Sequence, residues 1–265
     1  MHNARIEYAG GAYLDGCMEV TDAKVLLDAV TITNCIDYGL QLNGTGALAT
    51  GSGGLTITHN SLAGVQVQAD QAGSLPGSGC DYSANTSAGV EIAGGTMTTS
   101  ATWKKINVPY FISGEIYVEG AATPKLTIEA GAHLEFGADK GIYVAYNGGA
   151  GGLWAVGDGT GPIVFTAHAA SPSAGHWSGI EFRGNTNDAT SNLSYVTIEY
   201  AGGAYLGADL VITDAQPTLA NLTLRGSQEY GLELNCANAM TFNLASVTYD
   251  ANTSGPVLAD ALCAH

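Results

Sequence analysis

The chain has 265 residues, of which 46% are apolar and only 12% charged, and its 24 acidic against 8 basic residues leave a net charge of −16. Phosphate binding needs clustered Lys and Arg, so this balance argues against a nucleic-acid partner, and no run of 18 apolar residues offers a membrane insertion. With 37 glycines beside 7 prolines and many β-branched residues, the composition is that of an ordered β-rich chain rather than a disordered one.

The first predicted strand carries Ile6, within the run IEYAGGAYL at residues 6–14. The same nine residues recur at 198–206. Around them 38 consecutive positions align without a gap, 19 of them identical, so the chain contains a duplicated block. Further along, YSANTS at 82–87 returns as YDANTS at 249–254. The offsets of the two matches, 192 and 167, differ by 25, a unit that the second copy lacks. The same spacing of 25 separates GLQL at Gly39, GVQV at Gly64 and GVEI at Gly89, and it separates TIT at Thr31 from TIT at Thr56. A whole unit is lost cleanly only where each unit is a self-similar layer stacked on the next.

Within one unit, Leu55 and Ile57, then Val65 and Val67, are apolar at period two, while Thr56, Thr58 and Gln66 alternate with them. Small, turn-prone residues lie between the two runs. Strands this short bury a core only when stacked in register at about 4.8 Å into long parallel sheets. The middle section repeats the grammar with longer corners. Its inward pairs are Ile116 and Val118, Leu126 and Ile128, Leu134 and Phe136, Ile142 and Val144, and Ile180 and Phe182. Trp154 and Trp177 are read as packing residues of a core or corner. The expected fold is therefore all-β: a right-handed parallel β-helix, or β-solenoid, with turns of about 25 residues, its hand following the general rule for parallel crossovers. It runs as a single β-helix over 1–265, with the duplication at 5–99 and 197–265 and a longer-looped module at 101–196.

The segments LTIE at 126–129, PIVFT at 162–166, WSGI at 177–180 and IEY at 198–200 resemble the repeat module of parallel β-helix proteins of the pectin-lyase-like superfamily, in particular uncharacterised bacterial secreted or surface proteins. The likeness covers about 126–235, and 5–43 through the duplication. It implies secretion or surface display. It does not choose among lyases, hydrolases, adhesins and scaffolds. Hydrolases of this superfamily carry Asn-Thr-Asp, Asp-Asp, Gly-His-Gly and Arg-Ile-Lys segments. This chain has instead NTN at 185–187, no Asp-Asp pair, GHW at 175–177 and RIE at 5–7.

A lyase needs a base beside a uronate, and Arg183, near Glu181 and Glu199, is the candidate; its plain reading is an ion pair with one of them. Glu135, Glu181 and Glu199 hold matching places in LEF, IEF and IEY, so aligned turns would make an outward acidic ladder and a weak calcium site, since calcium takes six to eight oxygens. No other cofactor is indicated. The six histidines, His168 and His176 among them, form no metal spacing. The five cysteines show neither CxxC nor zinc patterns; buried thiols are the first expectation, with Cys236 and Cys263 as the disulfide candidate in a secreted chain. The functional expectation is a non-catalytic secreted or cell-surface scaffold or adhesin that assembles end to end into filaments. The alternative is a domain that binds or cleaves carbohydrate.

Overall fold

The computed structural model describes residues 1–11 and 13–265. Among these residues, 27 strands are two to eight residues long, and helix is confined to two single 3₁₀ turns, Ala72–Ser74 and Asp188–Thr190. One outward ladder shows how the chain winds. It runs through Glu19, Gln41, Gln66, Glu91, Phe111, Glu135 and Thr166, each beside the next on parallel strands. Thr166 Oγ1 then donates to Glu199 at 2.8 Å, and Glu199, Arg225 and Asp250 complete ten rungs. Gln41, Gln66 and Glu91 follow one another at a spacing of 25. The step shortens at Phe111 and stretches to 33 between Thr166 and Glu199. The chain is thus a parallel β-solenoid whose turns keep the period of the sequence repeat and lengthen in the middle, as the corner loops there require.

The inward neighbours of these rungs form the core. Leu40 and Leu42, Val65 and Val67, Val90 and Ile92, and Leu134 and Phe136 are at most 1% exposed. Each strand is too short to bury these side chains alone, so the free energy of burial, roughly 25 cal/mol per Å² of apolar surface, is gained only by stacking. Larger rings fill the middle: Phe136 stacks on Trp177 at 4.1 Å and 12°. Corners recur with the turn. Asn34, His59 and Ala84, each one turn from the next, all take the left-handed conformation (φ 55°, 59° and 56°), and so do their counterparts Gly226 and Ala251 in the second copy. Asparagines then close the corner: Asn60 Oδ1 accepts from Cys35 N–H at 3.0 Å, and Asn85 Oδ1 accepts from both Asn60 N–H and Asn60 Nδ2.

The two copies do not occupy the same faces. In the first, His2–Glu7 lies in a three-stranded sheet and Gly16–Thr21 in a thirteen-stranded one. In the second, the matching strands Asn192–Glu199 and Ala208–Thr213 lie in the thirteen-stranded and a seven-stranded sheet. Local register is kept, since Ile6 pairs with Ile32 and Ile198 with Leu224, the equivalent residue. The frame rotates by one face because the three-stranded sheet ends at Thr56–Thr58 and the seven-stranded sheet opens at Gly95–Met97. Asn192–Glu199 then rounds a corner within one strand: it pairs first with Gly152–Val156 and then with Ile163–Ala167, bending at Tyr195 (φ 52°).

Two packing expectations need correction. Trp177 is fully buried, but Trp154 points outward from Gly152–Val156, with Lys125 Nζ 5.6 Å from its ring. Nor are the cysteines all buried thiols: Cys17 is joined to Cys35 and Cys236 to Cys263, at Cα separations of 5.7 and 5.6 Å, and among the described residues Cys80 alone is free.

Candidate functional site: an aromatic cleft on the seven-stranded sheet

The outward positions of the seven-stranded sheet are Thr96, Tyr117, Tyr143, Glu181, Val211, Glu233 and Leu258 in register. A tyrosine in the middle of IYV at 116–118 and again at 142–144 therefore lands on one face, one rung apart. The two rings stack at 5.3 Å and 22°, and Tyr146 meets Tyr143 edge-on at 5.1 Å. Leu206, Ala208 and Val211 pack beside Tyr143, so a second apolar cluster lies outside the solenoid core.

Arg183 and Glu181 sit over this platform. Arg183 Nε donates to Glu181 Oε1 at 2.8 Å, and the guanidinium carbon lies 3.7 Å from the centre of the Tyr146 ring. Burial works to lower Arg183, but the hydrogen bond and charge of Glu181 outweigh it and hold the guanidinium above its ordinary value. Glu181 is 5% exposed, and its second oxygen, Oε2, has no partner. Burial, with the neighbouring Glu115 carboxylate, raises Tyr117, whose hydroxyl donates to Glu115 at 2.7 Å. Tyr143 is raised as well, chiefly by burial.

Two loops wall the cleft. Loop 145–150 carries Tyr146 and is fixed by Glu119, which accepts from Asn147 N–H at 2.6 Å and from Asn147 Nδ2 at 2.7 Å; Asn185 Nδ2 adds a bond to Gly148 O at 2.8 Å. Loop 201–207 carries Tyr205, 90% exposed at its tip. Between the walls lies a cleft of about 190 Å³, floored by Tyr143 and Val211 and rimmed by Glu181, Arg183, Glu233 and Asn235. It is smaller than the ~300–1,000 Å³ of enclosed small-molecule pockets, so it suits a ring laid on a surface. A larger groove of about 600 Å³ runs beside Leu48 and Ala101 on another side, but its Lys104 ammonium is already engaged with Gly73 O and Leu75 O at 3.3 and 2.9 Å.

The expected acidic ladder is divided by the fold. Glu135 and Glu199 share the thirteen-stranded sheet, two rungs apart with Thr166 between them, but Glu181 lies on the seven-stranded sheet. The matching tripeptides misled because IEF at 180–182 and IEY at 198–200 come from different faces of the same turn. Glu135 Oε2 accepts from His168 Nδ1–H at 2.8 Å, and His168 stacks on Phe111 at 4.2 Å. Glu199 is bound by Thr166 and by Arg225. The ion-pair partner of Arg183 is thus Glu181, while Glu199 is matched by Arg225. Among the described residues, no group of three or more His, Cys, Asp or Glu side chains is placed to hold a metal ion.

Fold and face together define a parallel β-solenoid with an aromatic, Arg-bearing surface cleft. Residues 95–209 match the family model described as a pectate-lyase-like beta helix domain. That match starts at Gly95, where the seven-stranded sheet opens. No curated protein and no solved structure matches the chain.

Proposed function

We propose that this chain is a secreted or cell-surface β-helix module that binds carbohydrate, non-catalytically, in the cleft of the seven-stranded sheet. The observation that carries this reading is Arg183 clamped between the Glu181 carboxylate and the Tyr146 face, beside exposed Tyr205. Aromatic faces offer the apolar side of a sugar ring a stacking surface, while Glu233 and Asn235 offer hydrogen-bond partners to its hydroxyls. A lyase base must be able to give up its proton near the working pH, and Arg183 is held the opposite way. Two carboxylates, Glu181 and Glu233, line the cleft with the one arginine, so a neutral saccharide suits it better than a uronate.

A glycan array followed by calorimetry tests this. Binding of neutral saccharides that disappears in Tyr146→Ala is the expected result; no binding anywhere on the array removes the proposal. An assay for unsaturated products on acidic polysaccharides separates binder from lyase, and product formation abolished by Arg183→Ala would overturn the non-catalytic reading. A second proposal is end-to-end association with another copy of the chain. It is supported by apolar side chains exposed on the outermost turns, Leu14 on one and Leu258 and Leu262 on the other. Sedimentation tests it: a strict monomer at high concentration counts against it.

A further inference from the structure

The duplication shows how the first turn packs when another turn lies beneath it. In the second copy Asn192–Glu199 and Ala208–Thr213 rest on Ile163–Ala167 and Gly179–Phe182. The run YAGG at 200–203 is stitched to the corner below: His176 N–H donates to Tyr200 O and Gly175 N–H to Ala201 O, both at 3.0 Å, while Gly202 N–H donates to Ser178 O at 3.1 Å and Gly203 N–H to Trp177 O at 2.9 Å. In the first copy the matching strands, His2–Glu7 and Gly16–Thr21, are sheet edges, each paired on one side only among the described residues. Ile198 and Leu210 are 0% exposed and Leu206 8%, whereas their counterparts Ile6 and Met18 are only half-buried and Leu14 is 49% exposed. The corner differs in the same sense. Both copies keep one closing bond, Leu206 N–H to Gly203 O and Leu14 N–H to Gly11 O, but Gly11 N–H turns back to Leu14 O at 3.0 Å where Gly203 N–H reaches the turn below.

The last turn is the mirror case. Tyr249, Val257 and Ala259 are half-buried, while their first-copy counterparts Tyr82, Val90 and Ile92 are each 0% exposed. Those three lie under a further turn: Val90 and Ile92 pair with Tyr110 and Ile112, and Tyr82 N–H donates to Asn107 Oδ1 at 3.1 Å. Val247–Asp250 and Gly255–Ala259, by contrast, are edge strands. Each end of the solenoid is thus a face that the other copy shows covered by one more turn of the same kind.

We infer that the two faces are halves of one junction: the first turn of one copy stacks on the last turn of another, rotated by one face as the second copy is rotated within the chain. His2–Glu7 then extends the thirteen-stranded sheet beyond Val247–Asp250, and Gly16–Thr21 extends the seven-stranded sheet beyond Gly255–Ala259. This junction rests on the end-to-end reading proposed above and adds its frame, its register and its contacts. The register follows from the pairings inside the chain. Val211, the counterpart of Glu19, stands one rung beyond Glu181, and Leu258 is the last outward residue of that same ladder, so Leu258 of one copy lies beside Glu19 of the next. Inward, Val257 meets Met18 and Tyr249 meets Ile6, so the half-buried side chains of both ends gain the burial of their counterparts. Each copy carries a net charge of −16, and the same register sets Asp250 beside Glu7. Salt, by screening this repulsion, therefore strengthens the junction.

Two experiments on the whole chain test the junction. In the first, the unsubstituted chain is sedimented over a range of concentrations at low salt and at about 0.5 M salt, where exposed charges are largely screened. The sedimentation coefficient should rise with concentration, and more steeply in salt; association that salt weakens would overturn the apolar junction. In the second, exposed residues at opposite ends of the solenoid are exchanged for cysteine, so that any new disulfide joins two chains. Glu19→Cys/Leu258→Cys reports the rotated frame. Glu19→Cys/Asp250→Cys reports an unrotated one, in which each strand stays on its own sheet. Neighbours in register on parallel strands lie about 4.8 Å apart, within disulfide reach. The first pair should give covalent multimers on a non-reducing gel, at least about tenfold more than the second, with the linked peptides identified by mass spectrometry. Association with no linkage at the first pair, or with linkage at the second instead, overturns the rotated junction and leaves the end-to-end reading standing. A strict monomer at high concentration and high salt removes both.

Discussion

Replacing Asn60 tests whether corner asparagines lock one turn to the next. Asn60 is 1% exposed, and its Oδ1 is the acceptor for Cys35 N–H, itself on a residue 1% exposed. Its Nδ2 donates to Asn85 Oδ1 at 2.9 Å. Alanine leaves the Cys35 N–H orphaned, at about 1–3 kcal/mol, and loses the side-chain bond, at about 1 kcal/mol, while Asn85 Oδ1 keeps Asn60 N–H. The expected loss is about 3 kcal/mol, or a fall in Tm of roughly 6–12 °C for a chain of this size. Asn60→Asp separates the two bonds. Its carboxylate still accepts from Cys35 N–H, but it sets a buried charge against Asn85 Oδ1, whose own amide is spent on Ile57 O, Tyr82 O and Ser83 O. At neutral pH it should cost at least as much as alanine. Its folded pKa would be raised, so the deficit should shrink as pH falls towards about 4 and the carboxyl becomes a donor. Urea and thermal unfolding at pH 4 and pH 7 read both effects. A change within about 0.5 kcal/mol for Asn60→Ala, the range of an ordinary surface substitution, would refute the corner argument. So would an Asn60→Asp deficit that ignores pH.

Other substitutions test the account from different sides. Deleting residues 64–88 removes one whole turn and rejoins Ala63 to Gly89, so circular dichroism should remain β-type with cooperative unfolding; deleting 64–75, half a turn, should abolish it. Tyr146→Ala and Arg183→Lys should each weaken saccharide binding by roughly tenfold while Tm changes little, because lysine loses the planar stack on Tyr146. Asp209→Asn should raise Tm more at pH 8 than at pH 4, since the unsubstituted carboxyl is costly only where it is charged.

The winding was legible because its signal is redundant. Period two in Leu55, Ile57, Val65 and Val67 and the regular return of GLQL, GVQV and GVEI say the same thing, and the inward pairs of the middle section are all at most 1% exposed. The rotation of the second copy by one face was not legible. Strand propensity and local register are identical whether IEYAGGAYL rounds one corner or the next, and the difference is made far away, where a sheet opens at Gly95. Glu181 left the ladder of Glu135 and Glu199 because its strand, Gly179–Phe182, pairs in the seven-stranded sheet, which the matching tripeptides do not reveal. The cleft had a faint signal in Tyr117 and Tyr143, one turn apart in matching tripeptides, but Tyr146 and Tyr205 come from loops, whose placement no periodicity describes. The Cys17–Cys35 bond depends on which corners stack, so it becomes visible only in three dimensions.

The stacking itself is tested most directly by distances along the outward ladder. Spin labels at Glu19 and Glu135 are separated by five rungs and at Glu19 and Asp250 by nine. At about 4.8 Å per rung, pulsed electron resonance should give narrow distributions near roughly 24 and 43 Å, rising linearly with rung number. Broad distributions, or a Glu19–Asp250 distance no longer than the Glu19–Glu135 one, would contradict a single solenoid wound through both copies.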